Sequence, residues 1–126
     1  MNTFLSNQNI KMPNMIYGTA WKKENTTDLV YEALLQGFKG IDTACQPKHY
    51  REDLVGFGLL KAYEKGIKRE NIFLQTKFTP IDGQDKTNMP YLESDEIEVQ
   101  VDKSFERSKK NLKTDFIDSY ILHSPI

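Results

Sequence analysis

Cysteine, histidine and tryptophan are scarce in this chain, and so is any surplus of charge. A single Cys45 has no partner for an internal disulfide, and two histidines, His49 and His123, beside that one thiol are too few to build a zinc site, so no metal is expected. Seventeen Lys and Arg stand against eighteen Asp and Glu. They are dispersed, which leaves no basic field to hold nucleic acid or an anionic membrane. No apolar run approaches the roughly 20 residues of a membrane span or forms the core of a secretory signal. These absences lead to the expectation of a soluble protein of a reducing compartment, the cytoplasm. A length of 126 residues is ordinary for one compact domain. No repeat, low-complexity tract or Pro/Gly/Ser linker divides it, although Thr79 to Glu93 reads as a polar loop.

What is present is an alternation of short apolar runs with longer segments of helical period. Strands are expected at Met15 to Gly18, Lys39 to Asp42, Ile72 to Lys77 and Phe116 to His123, and helices at Thr27 to Gln36, Glu52 to Lys65 and Ile97 to Leu112. The first helix aligns Leu29, Val30, Ala33 and Leu34, with Thr26 as its expected N-cap and Gly37 as its stop. The second aligns Leu54, Val55, Leu59 and Ala62 and meets Gly66. The third aligns Ile97, Val101, Phe105, Ser108 and Leu112, with Ser94 as its expected cap. Successive strand-helix-strand steps imply parallel strands with right-handed crossovers. An open doubly wound sheet and a barrel both satisfy this order, and both place function at the carboxyl ends of the strands.

Those ends carry ionisable groups. The second strand ends in Asp42, the third in Lys77 and the fourth in His123, while the first runs into Gly18-Thr19-Ala20-Trp21. Each alone has an ordinary explanation: an Asp that caps a loop, a solvated Lys, a His bonded to a backbone carbonyl. Their coincidence on one rim points to chemistry.

The surrounding residues carry a resemblance. Gly37-Phe38-Lys39-Gly40-Ile41-Asp42-Thr43-Ala44 followed by Tyr50, Glu52 and Val55-Gly56 is similar to the aldo-keto reductase signature around its catalytic Asp and Tyr. Phe73-Leu74-Gln75-Thr76-Lys77 resembles the family's Lys strand, Asp118 to Pro125 its His strand, and Gly18 to Lys22 its first strand-to-helix loop. The motifs occur in the family's order along almost the whole chain, a far more specific signal than a lone glycine pattern.

The resemblance implies an α/β fold, a parallel (β/α) barrel of the TIM type truncated after the fourth strand, with an N-terminal β-hairpin at Asn2 to Met12, and residues 1–126 forming a partial reductase domain. It implies hydride transfer from NADPH to a small-molecule aldehyde or ketone, with Asp42, Tyr50, Lys77 and His123 catalytic. Tyr50 would be the acid, Lys77 the cation that eases loss of its proton, Asp42 the holder of the ammonium and His123 the group that orients the carbonyl. Thr19, Ala20 and Asp42 would meet the cofactor, and Trp21 with His123 the substrate. The alternative for Trp21 is a half-buried core aromatic.

Two departures bear on these expectations. The connection from Ala44 to Glu52 is longer than the family's, so that counting back from Glu52 puts His49 in the phenol's column while residue chemistry favours Tyr50, the only phenol in the loop. Second, a TIM-type barrel has eight strands in about 250 residues. A four-stranded piece leaves open edges and an apolar interior, so self-association through the sheet edges is expected. The rival readings are a homodimer completing one barrel, a non-catalytic interaction module, and an open flavodoxin-like domain. The segment Gly18 to Glu24 holds one Gly, Gly18 itself, which disfavours the last. The loop from Thr79 to Glu93 either shapes specificity or is a flexible insertion, the latter being favoured.

Overall fold

The computed structural model describes the backbone of residues 3–5 and the whole of residues 10–126. A short antiparallel pair, β1 (Thr3–Leu5) with β2 (Lys11–Pro13), comes first. This is the expected hairpin, although its first residue and its turn lie outside the described residues. Then follow β3 (Ile16–Gly18), α1 (Thr26–Leu35), β4 (Gly40–Asp42), α2 (Glu52–Glu64), β5 (Phe73–Phe78), α3 (Ile97–Leu112) and β6 (Ser119–Leu122). The strands β3-β4-β5-β6 pair in chain order, all parallel, as a four-stranded sheet with a helix in each crossover. This is part of a (β/α) barrel.

Strand pleat sorts the side chains. Gly18 is opposite Asp42, Asp42 opposite Gln75, and Lys77 opposite Ile121, so these residues share one face with Ser119, which is opposite Gln75. Ile41, Leu74 and Thr76 take the other face, and all three are fully buried. The helices lie against that second face. Their core comprises Val30, Leu34, Ile41, Val55, Leu59, Ala62, Ile72, Leu74 and Leu112, each large aliphatic side chain worth about 1.5–3 kcal/mol on full burial.

Close helix approach depends on two glycines of α2. A Cβ on Gly58 would lie 2.9 Å from the Thr27 carbonyl and from Val30 of α1, and one on Gly56 would run into the Asn111 carbonyl of α3. Both turns after α1 and α2 are left-handed, at Gly37 (φ 107°) and Gly66 (φ 94°). There Phe38 N–H bonds Ala33 O and Ile67 N–H bonds Ala62 O, satisfying carbonyls the helix leaves free.

The helix faces and caps differ in part from the sequence reading. Thr26 is the first residue of α1, not its cap, and its hydroxyl donates to Lys23 O at 2.7 Å. Leu29 stays 37% exposed while Val30, Ala33 and Leu34 are buried. Ser94 does not cap α3, which starts after Glu96 with no side-chain cap. The buried stripe of α3 is Gln100, Ser104, Ser108 and Leu112, whereas Ile97 and Val99 remain exposed. Ser108 and Leu112 of the expected stripe are thus buried and Val101 and Phe105 half-buried, while the polar Gln100 and Ser104 complete the buried face. The concave face is also more polar than expected, since Asp42, Gln75, Lys77 and Ser119 stand on it.

Candidate active site

Parallel register brings Asp42 and Lys77 to one rim. The Lys77 Nζ lies 2.8 Å from Asp42 Oδ2 and donates to Thr43 O at 3.0 Å. The other carboxylate oxygen accepts from Gln75 Nε2 at 2.9 Å, and Ser119 Oγ donates to Gln75 Oε1 at 2.9 Å. A chain of hydrogen bonds therefore crosses three strands and locks the ammonium in place. With the two ionic side chains only 12% and 20% exposed, the pair is shielded from solvent screening.

The β4–α2 loop delivers the phenol. His49 N–H and Tyr50 N–H both bond to Gln46 O, and Gln46, itself buried, donates through Nε2 to Gly83 O at 2.6 Å. That turn sets Tyr50 beside Lys77, with Nζ 5.0 Å from the ring centroid, and beside His123, at 5.7 Å between centroids and 69° between planes. His49 goes elsewhere. It stacks on Trp21 at 3.9 Å, and its carbonyl accepts from Trp21 N–H at 2.8 Å.

His123 follows β6 directly, its N–H bonded to Phe78 O and its Nδ1 2.7 Å from Thr79 Oγ1. Burial, and then the charge of Lys77, hold its pKa below the ordinary imidazole value, which favours the neutral ring. Asp42, Tyr50, Lys77 and His123 thus come together as one group. Trp21 stands at its margin with a positive φ of 63°, a strained conformation for an aromatic residue. Being 64% exposed, it is not a core aromatic. Together with His49, Tyr50 and Pro47 it lines a cleft of about 90 Å³. Thr19 is fully buried and donates through both N–H and Oγ1 to Asp42 O, and Ala20 is half-buried beside it.

Behind the rim, on the helix side, lies Glu52. Thr76 Oγ1 donates to its Oε2 at 2.5 Å and Asn111 Nδ2 to its Oε1 at 3.1 Å. Burial raises its pKa despite those bonds. The unfolded chain therefore ionises first, and folding stability falls as pH rises above about 4.3 toward the folded-state value. Glu52→Gln is expected to reduce this decline, so that the Tm difference between variant and wild type moves in the variant's favour from pH 4 to pH 8. A difference that shifts the other way would contradict the assignment. Neighbouring Cys45 is 2% exposed, and burial followed by the charge of Glu52 pushes its thiol pKa up strongly. It is expected to react with thiol reagents only after unfolding, measured as labelling with and without denaturant.

Comparison with known proteins now decides the family. The sequence profile of the aldo/keto reductase family matches residues 14–126. The chain belongs to that family. An NAD(P)H-dependent D-xylose reductase of Pachysolen tannophilus is 31% identical over 121 residues, 95% of this chain and 33% of the relative. A glyoxal reductase of Bacillus subtilis (strain 168) is 30% identical over 119 residues, 92% of this chain and 36% of the relative. The solved aldose reductase of Schistosoma japonicum superposes with a TM-score of 0.77 at 26% identity, covering 99% of this chain and 37% of that one. The chain therefore spans about a third of the length of the curated relatives it matches.

As an aldo/keto reductase, the chain can be tested for fit to the reacting end of a dihydronicotinamide. The donor set suits it: a phenol, a fixed ammonium and a neutral imidazole border one rim. Of the residues expected to meet the cofactor, Ala20 has surface to offer. The Thr19 hydroxyl and both Asp42 oxygens already have partners, so those two hold the rim in shape.

Several supporting residues were not singled out from sequence. Gln75 and Ser119 share the pleat face of Lys77, and their even spacing from Lys77 and His123 was the available signal. The loop from Thr79 to Glu93 is no flexible insertion, because Tyr91 Oη donates to Thr79 O at 2.7 Å and Gln84 Nε2 to Cys45 O at 3.0 Å and Thr79 O at 3.2 Å. No sequence pattern marks such anchors, two of which close the loop on its own first residue while the third reaches back to Cys45.

Proposed function

We propose that this chain carries the proton-donating site of an NADPH-dependent carbonyl reductase that converts aldehydes or ketones to alcohols, with residues 1–126 as a partial reductase domain. The supporting observation is the Asp42–Lys77 pair, 2.8 Å between charged atoms, set beside the Tyr50 ring and so beside His123. NADPH, when bound, supplies the hydride to the carbonyl carbon. Tyr50 gives its proton to the carbonyl oxygen as charge gathers there, a contribution of roughly 10²–10⁴-fold for general acid catalysis. The Lys77 charge stabilises the phenolate oxygen left behind, and Asp42 keeps that ammonium from drifting.

His123, neutral, hydrogen-bonds the carbonyl oxygen and orients it. Trp21 forms a wall for the substrate, while Thr19, Ala20 and Asp42 shape the nicotinamide side. The names of the relatives, a xylose reductase and a glyoxal reductase, make small aldehydes the first substrates to try, and the lone, unpaired Cys45 fits a reducing compartment such as the cytoplasm. The test is aldehyde-dependent loss of dihydronicotinamide absorbance with D-xylose and glyoxal, using NADPH and NADH separately. Turnover with NADPH faster than with NADH is the expected result, and cofactor oxidation that ignores the aldehyde would refute the reading.

A second reading is self-association through the outer strands β3 and β6. It is favoured by the exposure of Ile121 (37%), Leu122 (51%) and nearby Phe116 (48%). Light scattering over a concentration series distinguishes the cases. If assembly completes the site, specific activity rises with protein concentration; if assembly is the whole function, Lys77→Met leaves it unchanged.

A further inference from the structure

Thr79 is buried, 1% exposed, on the segment just after β5 and outside every motif used above. Among the described residues its hydroxyl has one hydrogen-bond partner, His123 Nδ1, at 2.7 Å. A hydroxyl can give or take that bond, and the direction fixes the imidazole tautomer. If Nδ1–H donated, the Thr79 hydroxyl proton would be left in a buried place with no acceptor among the described residues. If the hydroxyl donates, only oxygen lone pairs go unused, which costs far less than an orphaned buried donor.

The threonine itself is clamped. Its carbonyl accepts from Tyr91 Oη and Gln84 Nε2. Its methyl sits so near Gly83 that a Cβ there would lie 2.7 Å from Thr79 Cγ2. Gly83 is in turn bonded through its carbonyl to Gln46, the residue whose own carbonyl accepts from the Tyr50 N–H. One loop thus braces both the phenol and the imidazole.

We infer that Thr79 is a positioning residue: its hydroxyl donates to His123 Nδ1 and holds the ring as the Nε2–H tautomer, presenting an N–H donor to a carbonyl oxygen. The inference rests on the proposed reductase chemistry for its purpose. The tautomer itself does not depend on it.

With only two histidines in the chain, the side-chain ¹⁵N resonances of His123 can be assigned by comparison with His49→Gln and read at neutral pH without cofactor or substrate. In the wild type, Nδ1 is expected in the unprotonated range and Nε2 in the protonated range. Thr79→Val should lower the ratio of Nε2–H to Nδ1–H by about fivefold or more, the worth of one buried hydrogen bond, and Thr79→Ser should restore it. Should the valine variant fail to fold, the wild-type tautomer and the serine variant still decide. An Nδ1–H ring in the wild type, or an unchanged ratio in a folded Thr79→Val, overturns the inference. An Nε2–H ring in a protein that reduces no carbonyl would uphold the tautomer assignment and sink the reductase reading instead.

Discussion

Replacing Lys77 with Met is expected to lower carbonyl reduction by roughly 10²–10⁴-fold, the range of a lost general acid-base contribution, while leaving the secondary structure in place. Lys77 stands in β5 with its ammonium bonded to both Asp42 and the Thr43 carbonyl. Methionine fills a similar volume but supplies no charge to the phenol. The substitution also strands the Asp42 carboxylate, 20% exposed, with Gln75 as its remaining side-chain partner. A destabilisation of about 2–3 kcal/mol should follow, somewhat less than for a fully buried pair broken on one side. Adding Asp42→Asn removes the stranded charge. The double variant should regain most of the lost Tm and none of the activity. Recovery of both together would mean that Lys77 acts through stability alone.

Gly56→Ala should produce the largest loss of stability among single-methyl additions, about 3 kcal/mol or more, seen as a fall in the denaturant midpoint at unchanged m. On an exposed helix the same change gains about 1 kcal/mol from helix propensity, so the expected sign is itself diagnostic. The added methyl would collide with the Asn111 carbonyl and lie 3.3 Å from Leu112 Cα, both backbone atoms of α3 that cannot rotate away. Moving α3 to make room would also pull Asn111 Nδ2 from Glu52, leaving the buried carboxyl short of a donor. A stabilised Gly56→Ala would mean that α2 and α3 do not approach this closely.

Sequence periodicity revealed the strand-helix alternation because the strands are short and the central two, β4 and β5, bury Ile41, Leu74 and Thr76 on their helix side, with polar residues at or beside the strand ends. Asp42, Lys77 and His123 were legible for the same reason. Parallel strands in chain order bring successive strand ends to one rim, so residues far apart in sequence become neighbours without any contact being known. Choosing Tyr50 over His49 required chemistry rather than counting, and the structure puts Tyr50 beside Lys77 while His49 stacks on Trp21.

What sequence did not reveal depends on polarity and distance. On α3 the expected stripe included Ser108 and Leu112, but the buried face continues through the polar Gln100 and Ser104, which an apolar pattern passes over. Thr26 looked like a cap, yet its hydroxyl turned back to Lys23 O because the preceding turn left that carbonyl within reach. The braces around the site join Gln46 to Gly83, 37 residues on in another loop, and Tyr91 to Thr79, 12 residues apart within one loop. No local pattern encodes those partnerships.

The central claim is that Tyr50, beside the Lys77–Asp42 pair and His123, gives the proton. It is tested most directly by single-turnover reduction of an aldehyde with NADPH in wild type, Tyr50→Phe and His49→Gln. Tyr50→Phe is predicted to slow the chemical step by roughly 10²-fold or more, with His49→Gln within tenfold of wild type. A fast Tyr50→Phe, a His49→Gln that carries the whole loss, or a wild type that never oxidises NADPH in the presence of aldehyde would contradict the account.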